Sequence, residues 1–179
     1  PSPVRCGPGL LILRDERKVD RETECRHRHP HTRVEAGIGV DVHCLVALVL
    51  DRDSPFMEIS PLAAWRSNFN VGSGFVVGLG VIEGTECLIL GHDPSVRAGA
   101  FNQFNAKKLM RGLEIARVNR LPYVQFVESA GADLRGEDGG DPEAAIRREG
   151  GHFAESGRLF YEITELSKLR IPTIFVVFG

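Results

Sequence analysis

The segment Phe126-Val127-Glu128-Ser129-Ala130-Gly131-Ala132-Asp133-Leu134 joins an apolar strand to a turn of small residues, the pattern in this sequence best suited to chemistry. The side chains of Ala130, Gly131 and Ala132 are too small to shield the backbone amides. Fixed N–H groups at the end of a buried strand can point at an oxygen that becomes negative during reaction, an enolate or a tetrahedral oxyanion, and each such donor is worth ~3 kcal/mol in the transition state. That is the chemistry of acyl groups. A plain tight turn has the same composition, so the turn by itself leaves both readings open. Ser129 has no base within a motif and reads as a turn residue rather than a nucleophile. Glu128 and His152 read as a turn-capping carboxylate and a loop histidine, with acid or base roles as the alternative.

The elements that must position this turn follow from periodicity and breakers. Phe75 to Ile82 is β-branched and ends at Glu83-Gly84-Thr85, after which Glu86 to Gly91 reads as a second strand, so the two are expected to form a hairpin. Gly78 and Gly80 suggest a bulge or close backbone packing. No helix opens after them, which excludes a dinucleotide-binding reading. Asn102 to Arg120 is expected to be helical, with Phe104, Leu109, Leu113 and Ala116 on the buried face and Lys107, Lys108, Arg111 and Arg117 mostly elsewhere. Pro122 ends that helix, Tyr123 to Val127 is a short buried strand, and residues 135–141 form a polar loop. Ala154 to Leu169 is a second helix and Pro172 to Phe178 a final strand. The order β-β-α-β-α-β implies an α/β fold with crossover connections and a mainly parallel sheet.

Composition sets outer bounds. With 179 residues, 42% of them hydrophobic and 26% charged, the chain can bury one core. A net charge of -2 offers no electrostatic footprint for nucleic acid or an anionic membrane, and no run approaches the ~20 apolar residues of a membrane helix. No secretory signal is recognisable, so an intracellular location is expected. Cys6, Cys25, Cys44 and Cys87 match neither zinc nor redox spacings and are expected to be free thiols. His27, His29 and His31 alternate as metal ligands on a strand would, but Arg26, Arg28 and Pro30 oppose that, and no metal site is expected. Residues 1–49 stand apart; to about residue 35 Pro, Arg, Asp, Glu and His dominate, and poor order is expected there. Val40 to Leu50 is an apolar helix or strand.

Several segments align, in order, with one family: Ser54-Pro55-Phe56-Met57-Glu58-Ile59, Gly80 to Gly84, His92 to Gly99, Lys107 to Ala116, Asn119 to Pro122, Glu128 to Leu134 and Ile171 to Ile174. Together, over residues 50–179, they resemble the carboxyltransferase (β) subunit of biotin-dependent acyl-CoA carboxylases of the propionyl-CoA and methylcrotonyl-CoA type. The resemblance implies a crotonase-like fold of ββα repeats, present as a partial N-terminal domain truncated after a core strand. It implies carboxyl transfer from carboxybiotin to the α-carbon of an acyl-CoA, with backbone donors in Ala130, Gly131 and Ala132. The family usually has Gly-Gly where Ala130-Gly131 stands; alanine still presents an N–H.

Further expectations come with that resemblance. Arg97, Lys107 and Lys108 are candidates for the CoA phosphates, with solvated surface charge as the alternative. Biotin would be carried on a separate subunit, because Ala-Met-Lys-Met is absent here. Expected partners are a biotin carboxylase or biotin carrier subunit and further carboxyltransferase subunits in a homo-oligomer. The location would be cytoplasmic in a bacterium or the mitochondrial matrix in a eukaryote. Two other functions stay open: a catalytically inactive acyl-CoA-binding or subunit-assembly fragment, and a crotonase-type enoyl-CoA hydratase or isomerase.

Overall fold

The computed structural model describes residues 4–6, 10–12, 42–132 and 157–177. They fall into two compact units, Pro1–Val49 and Leu50–Gly179. In the first, β1 (Val4–Cys6) pairs antiparallel with β2 (Leu10–Ile12), and α1 (Val42–Val49) is an apolar helix. The expectation of poor order there rests mostly on residues outside those described, as do the metal reading of His27, His29 and His31, the polar loop 135–141 and His152. Cys87 is free and buried, but Cys44 is disulfide-bonded, which corrects the expectation of four free thiols. Spacing along a chain carries no information about which sulfurs meet in space.

The second unit holds a five-stranded sheet in sequential order: β3 (Met57–Glu58), β4 (Phe75–Ile82), β5 (Thr85–His92), β6 (Tyr123–Val127) and β7 (Thr173–Val177). The hairpin β4–β5 runs in unbroken antiparallel register from Phe75↔His92 to Ile82↔Thr85. Its two-residue turn, Glu83-Gly84, has φ of 49° and 72°, the left-handed pair that matches the twist of a tight hairpin. Asp51 secures it, accepting the Glu83 and Gly84 amides, each at 2.7 Å. The continuous register rules out a bulge at Gly78 or Gly80, and close packing is the reason for both. A Cβ on Gly78 would collide with the Phe56 ring, and one on Gly80 with Leu50.

β6 and β7 join in parallel, but β3 and β4 join antiparallel, so the sheet is mixed rather than mainly parallel. The strand β3 is two residues long, too short to show a period. Both crossovers end in the same way. Arg120 closes α2 (Gln103–Asn119) in a left-handed conformation, φ 56°, while the Leu121 amide bonds back to Ala116 O and Pro122 leads into β6. Arg170, φ 58°, follows the helical residues 157–168 (α3), the Ile171 amide bonds back to Leu166 O, and Pro172 leads into β7. The repeat puts Pro122 O on the Leu88 amide and Pro172 O on the Tyr123 amide, which fixes β6 and β7 in register.

The core lies between sheet and helices: Phe75, Val77, Leu88, Leu90 and Tyr123 meet Leu109, Leu113 and Ala116 of α2 and Leu166 of α3. Each fully buried leucine contributes ~2 kcal/mol. Phe104, expected on the buried face, is half-buried and meets Phe69 edge-on at 5.3 Å. On β7 the side chains of Ile174, Phe175, Val176 and Val177 are exposed, an apolar sheet edge.

Candidate functional site

The small-residue turn sits where β6 ends, and its neighbour is the short 3-10 turn Arg97–Gly99 that follows β5. The two are laced by backbone. The Ala130 N–H donates to Ala98 O at 3.0 Å, and the Phe101 N–H donates to Gly131 O at 2.8 Å, closing a parallel bridge between Phe101 and Ala132. The Gly131 N–H donates to Ser129 Oγ at 3.1 Å, so Ser129 serves the turn. Two of the three amides expected to be bare are therefore engaged. The Ala132 N–H lies outside the bridge, has no acceptor among the described residues, and belongs to an exposed residue. The docking segment comes from 30 residues upstream, which composition of the turn cannot reveal.

Gly99 explains how close the approach is. With φ +65° it occupies a region that side chains disfavour, and a Cβ there would collide with Glu128 O. The neighbours Arg97 and Ala98 are also left-handed, φ 51° and 53°. Backbone strain of this kind is held only when its surroundings over-determine it.

What holds the segment from behind is a buried polar chain. Tyr123 O–H donates to Gln125 Oε1 at 2.6 Å, Gln125 Nε2 lies 2.9 Å from His92 Nε2, and His92 Nδ1 lies 3.1 Å from Gly99 O. All three side chains are buried, and the His92 ring packs on Phe75 at 4.3 Å and Phe101 at 5.4 Å. Burial pushes the His92 imidazole below its ordinary value, with the Gly99 carbonyl opposing, and pushes the Tyr123 hydroxyl up. A single histidine ending a strand gives no signal of this chain in the sequence.

The start of α2 is tied to the same region. Asn102 caps it, accepting the Phe104 and Asn105 amides, while Asn105 accepts the Asn102 amide. Asn105 Nδ2 then donates to both Ser73 O and Ala100 O. The helix thereby fixes the loop that leads out of the 3-10 turn.

The three cations expected at CoA phosphates part company. Arg97 is half-buried, its guanidinium 4.1 Å above the Phe69 ring, in the segment that backs the turn. Lys107 is exposed on α2. Lys108 is not available: its side chain is 0% exposed and its ammonium donates to Glu58 Oε1 at 2.8 Å and Phe75 O at 2.7 Å. It ties α2 to β3 and β4, which also corrects its expected place away from the buried face. Among the described residues no group of three His, Cys, Asp or Glu is placed to hold a metal ion.

A mixed sheet whose crossovers run through helices, with a small-residue turn at the carboxyl end of β6, is the arrangement of a crotonase-like α/β fold, of which the described residues form part. The chain belongs to the carboxyl transferase domain family, which is matched over residues 45–179. It is 42% identical over 134 residues to the probable biotin-dependent acyl-coenzyme A carboxylase beta2 subunit of Mycobacterium tuberculosis, covering 75% of this chain and 23% of that protein. It is 37% identical over 137 residues to the probable mitochondrial methylcrotonoyl-CoA carboxylase beta chain of Drosophila melanogaster, covering 75% and 22%. Among solved structures, the beta subunit of geranyl-CoA carboxylase from P. aeruginosa superposes with a TM-score of 0.67 at 28% identity, over 92% of this chain and 28% of that one. The chain thus spans about a quarter of the length of these relatives.

Proposed function

We propose that this chain forms the acyl-CoA-binding part of a carboxyltransferase that moves a carboxyl group from biotin to the α-carbon of an acyl-CoA. The observation that carries the proposal is the turn at the end of β6, with the Ala132 N–H uncommitted among the described residues, in a chain 42% identical to a protein named as an acyl-CoA carboxylase beta subunit. Loss of the α-proton moves negative charge onto the thioester oxygen, and an aimed N–H lowers the energy of that oxyanion. The carbanionic α-carbon would then bond to the carboxyl carbon, whose bond to the biotin nitrogen breaks, and that nitrogen would take the α-proton. Biotin on a separate subunit would supply the carboxyl group.

In this reading Ala130 and Gly131 shape the turn through their own hydrogen bonds and Ala132 donates to the thioester. Arg97 and Lys107 are the cations left for CoA phosphates. Biotin-bearing partners and assembly with other carboxyltransferase subunits belong to the same proposal, as does a cytoplasmic or matrix location. Among the described residues no helix is long and apolar enough to cross a membrane.

A second reading, acyl-CoA binding without turnover in the company of other carboxyltransferase subunits, is favoured by the exposed apolar edge at β7. Incubating the chain with propionyl-CoA, bicarbonate, ATP, a biotin carboxylase and a biotinylated carrier separates the two. The proposal expects a carboxylated thioester. Thioester binding without product would favour the second reading, and no binding at all would sink both.

A further inference from the structure

We propose that His92 is a positioning residue for the Glu128–Ala132 turn: as a neutral Nδ1–H imidazole it pins the Gly99 carbonyl and so fixes the backbone against which the turn is laid. The proposal rests on the reading of that turn as the acyl-CoA site.

The tautomer follows from the partners. Gly99 O can only accept, so the His92 nitrogen 3.1 Å from it, Nδ1, must carry a proton. In a neutral ring Nε2 is then bare and must accept, which requires the amide nitrogen of Gln125 to face it, as it does at 2.9 Å. That leaves Gln125 Oε1 toward Tyr123, whose hydroxyl donates at 2.6 Å. The three hydrogen bonds then all run in one direction, from Tyr123 on β6 to Gly99. The alternative, a doubly protonated ring, would put a cation in a site only 2% exposed, packed on Phe75 and Phe101, and would turn Gln125 around.

The mechanical link continues from Gly99. Its α-carbon approaches Glu128 O so closely that no side chain fits, and Ala98 before it and Phe101 two residues after it are hydrogen-bonded to Ala130 and Gly131. A shift of Gly99 is therefore a shift of the turn. Among the described residues, the hydrogen bonds of His92 reach Gly99 and Gln125 and not the turn, so it acts through Gly99.

Native-state amide exchange on the full chain tests this with two variants. His92→Phe keeps the ring and removes both hydrogen bonds; His92→Asn retains a donor where Nδ1 stood. In His92→Phe the Phe101 and Ala130 amides should exchange about tenfold faster, beyond any change at the α2 amides, and propionyl-CoA affinity should fall by a similar factor. His92→Asn should recover most of both. Uniform acceleration across α2, or no recovery in His92→Asn, would overturn the proposal. The unsubstituted chain supplies a measurement that needs no variant: imidazole nitrogen shifts of His92 should show a protonated Nδ1 and a bare Nε2 at neutral pH, and an Nε2–H ring would contradict it. Exchange and tautomer need no ligand, so a chain that fails to bind acyl-CoA would sink the functional reading while leaving these two results to decide the role of His92.

Discussion

Lys108 Nζ lies 2.8 Å from Glu58 Oε1, joining the middle of α2 to the two-residue strand β3 across 50 positions of sequence. The lysine side chain is fully buried and the glutamate 29% exposed, and Phe75 O takes a second ammonium proton at 2.7 Å. The pair is a structural bolt rather than a site for phosphate. Replacing Lys108 with methionine should destabilise the chain by about 2 to 3 kcal/mol, because Glu58 and Phe75 O lose their partner. Lys107→Ala, on the exposed side, should change stability by less than about 0.5 kcal/mol. Urea denaturation of the two variants checks the contrast; equal small losses would contradict it.

Gly99→Ala tests the close approach of the two segments. The new methyl group meets Glu128 O and the residue must keep φ near +65°, so a loss of about 2 to 4 kcal/mol is expected. Gly84→Ala, with φ +72° but open space around it, carries only the backbone cost of about 1 kcal/mol. Thermal denaturation of the pair separates crowding from conformation.

Asp51→Ala removes two acceptors from the hairpin turn, the partners of the Glu83 and Gly84 amides. Both amides are exposed and can turn to water, so the expected cost is about 1 to 2 kcal/mol. Asp51→Asn keeps one acceptor and should recover about half. Chemical denaturation midpoints give the comparison, and an unchanged midpoint in Asp51→Ala would show that the turn holds by backbone preference alone.

His92 gives stability a pH dependence of definite sign. Burial holds its folded pKa below the ordinary imidazole value of 6.5, so in the window beneath 6.5 the unfolded chain binds more protons than the folded one. Its contribution is therefore complete above 6.5 and is lost as pH falls toward the folded pKa. Among the described residues, the partners of the ring are the uncharged Phe75, Gly99, Phe101 and Gln125, with the Tyr123 hydroxyl behind Gln125. Between pH 7 and 5 the native chain should lose more stability than His92→Asn; parallel pH profiles would contradict this.

Much of the fold was legible in the order of residues. The hairpin, α2, β6 and β7 announce themselves through β-branched runs, a 3.6-residue period and the breakers Gly84, Pro122 and Pro172. The missed parts share a cause: they depend on pairs far apart in the chain. β3 exists only because Glu58 and Met57 find β4, and it adds a second antiparallel pair to that of the hairpin. The α2 period identifies Leu109 and Leu113 as core but cannot identify a buried cation whose partner is 50 residues away. The turn was found by its composition, while the hydrogen bonds that occupy the Ala130 and Gly131 amides depend on how residues 97–101 and Ser129 settle. His92 opens the aligned segment His92 to Gly99, but its role emerges only with Gln125 and Gly99 around it.

The most direct test of the central claim is calorimetric titration of the chain with propionyl-CoA, acetyl-CoA and free CoA under identical conditions. A thioester carbonyl that meets the Ala132 N–H should make both thioesters bind more tightly than free CoA, by a factor of about three to ten for one added hydrogen bond. Equal affinity for thioesters and free CoA, or no binding of any of the three, would contradict the assignment of the turn at the end of β6 as an acyl-CoA site.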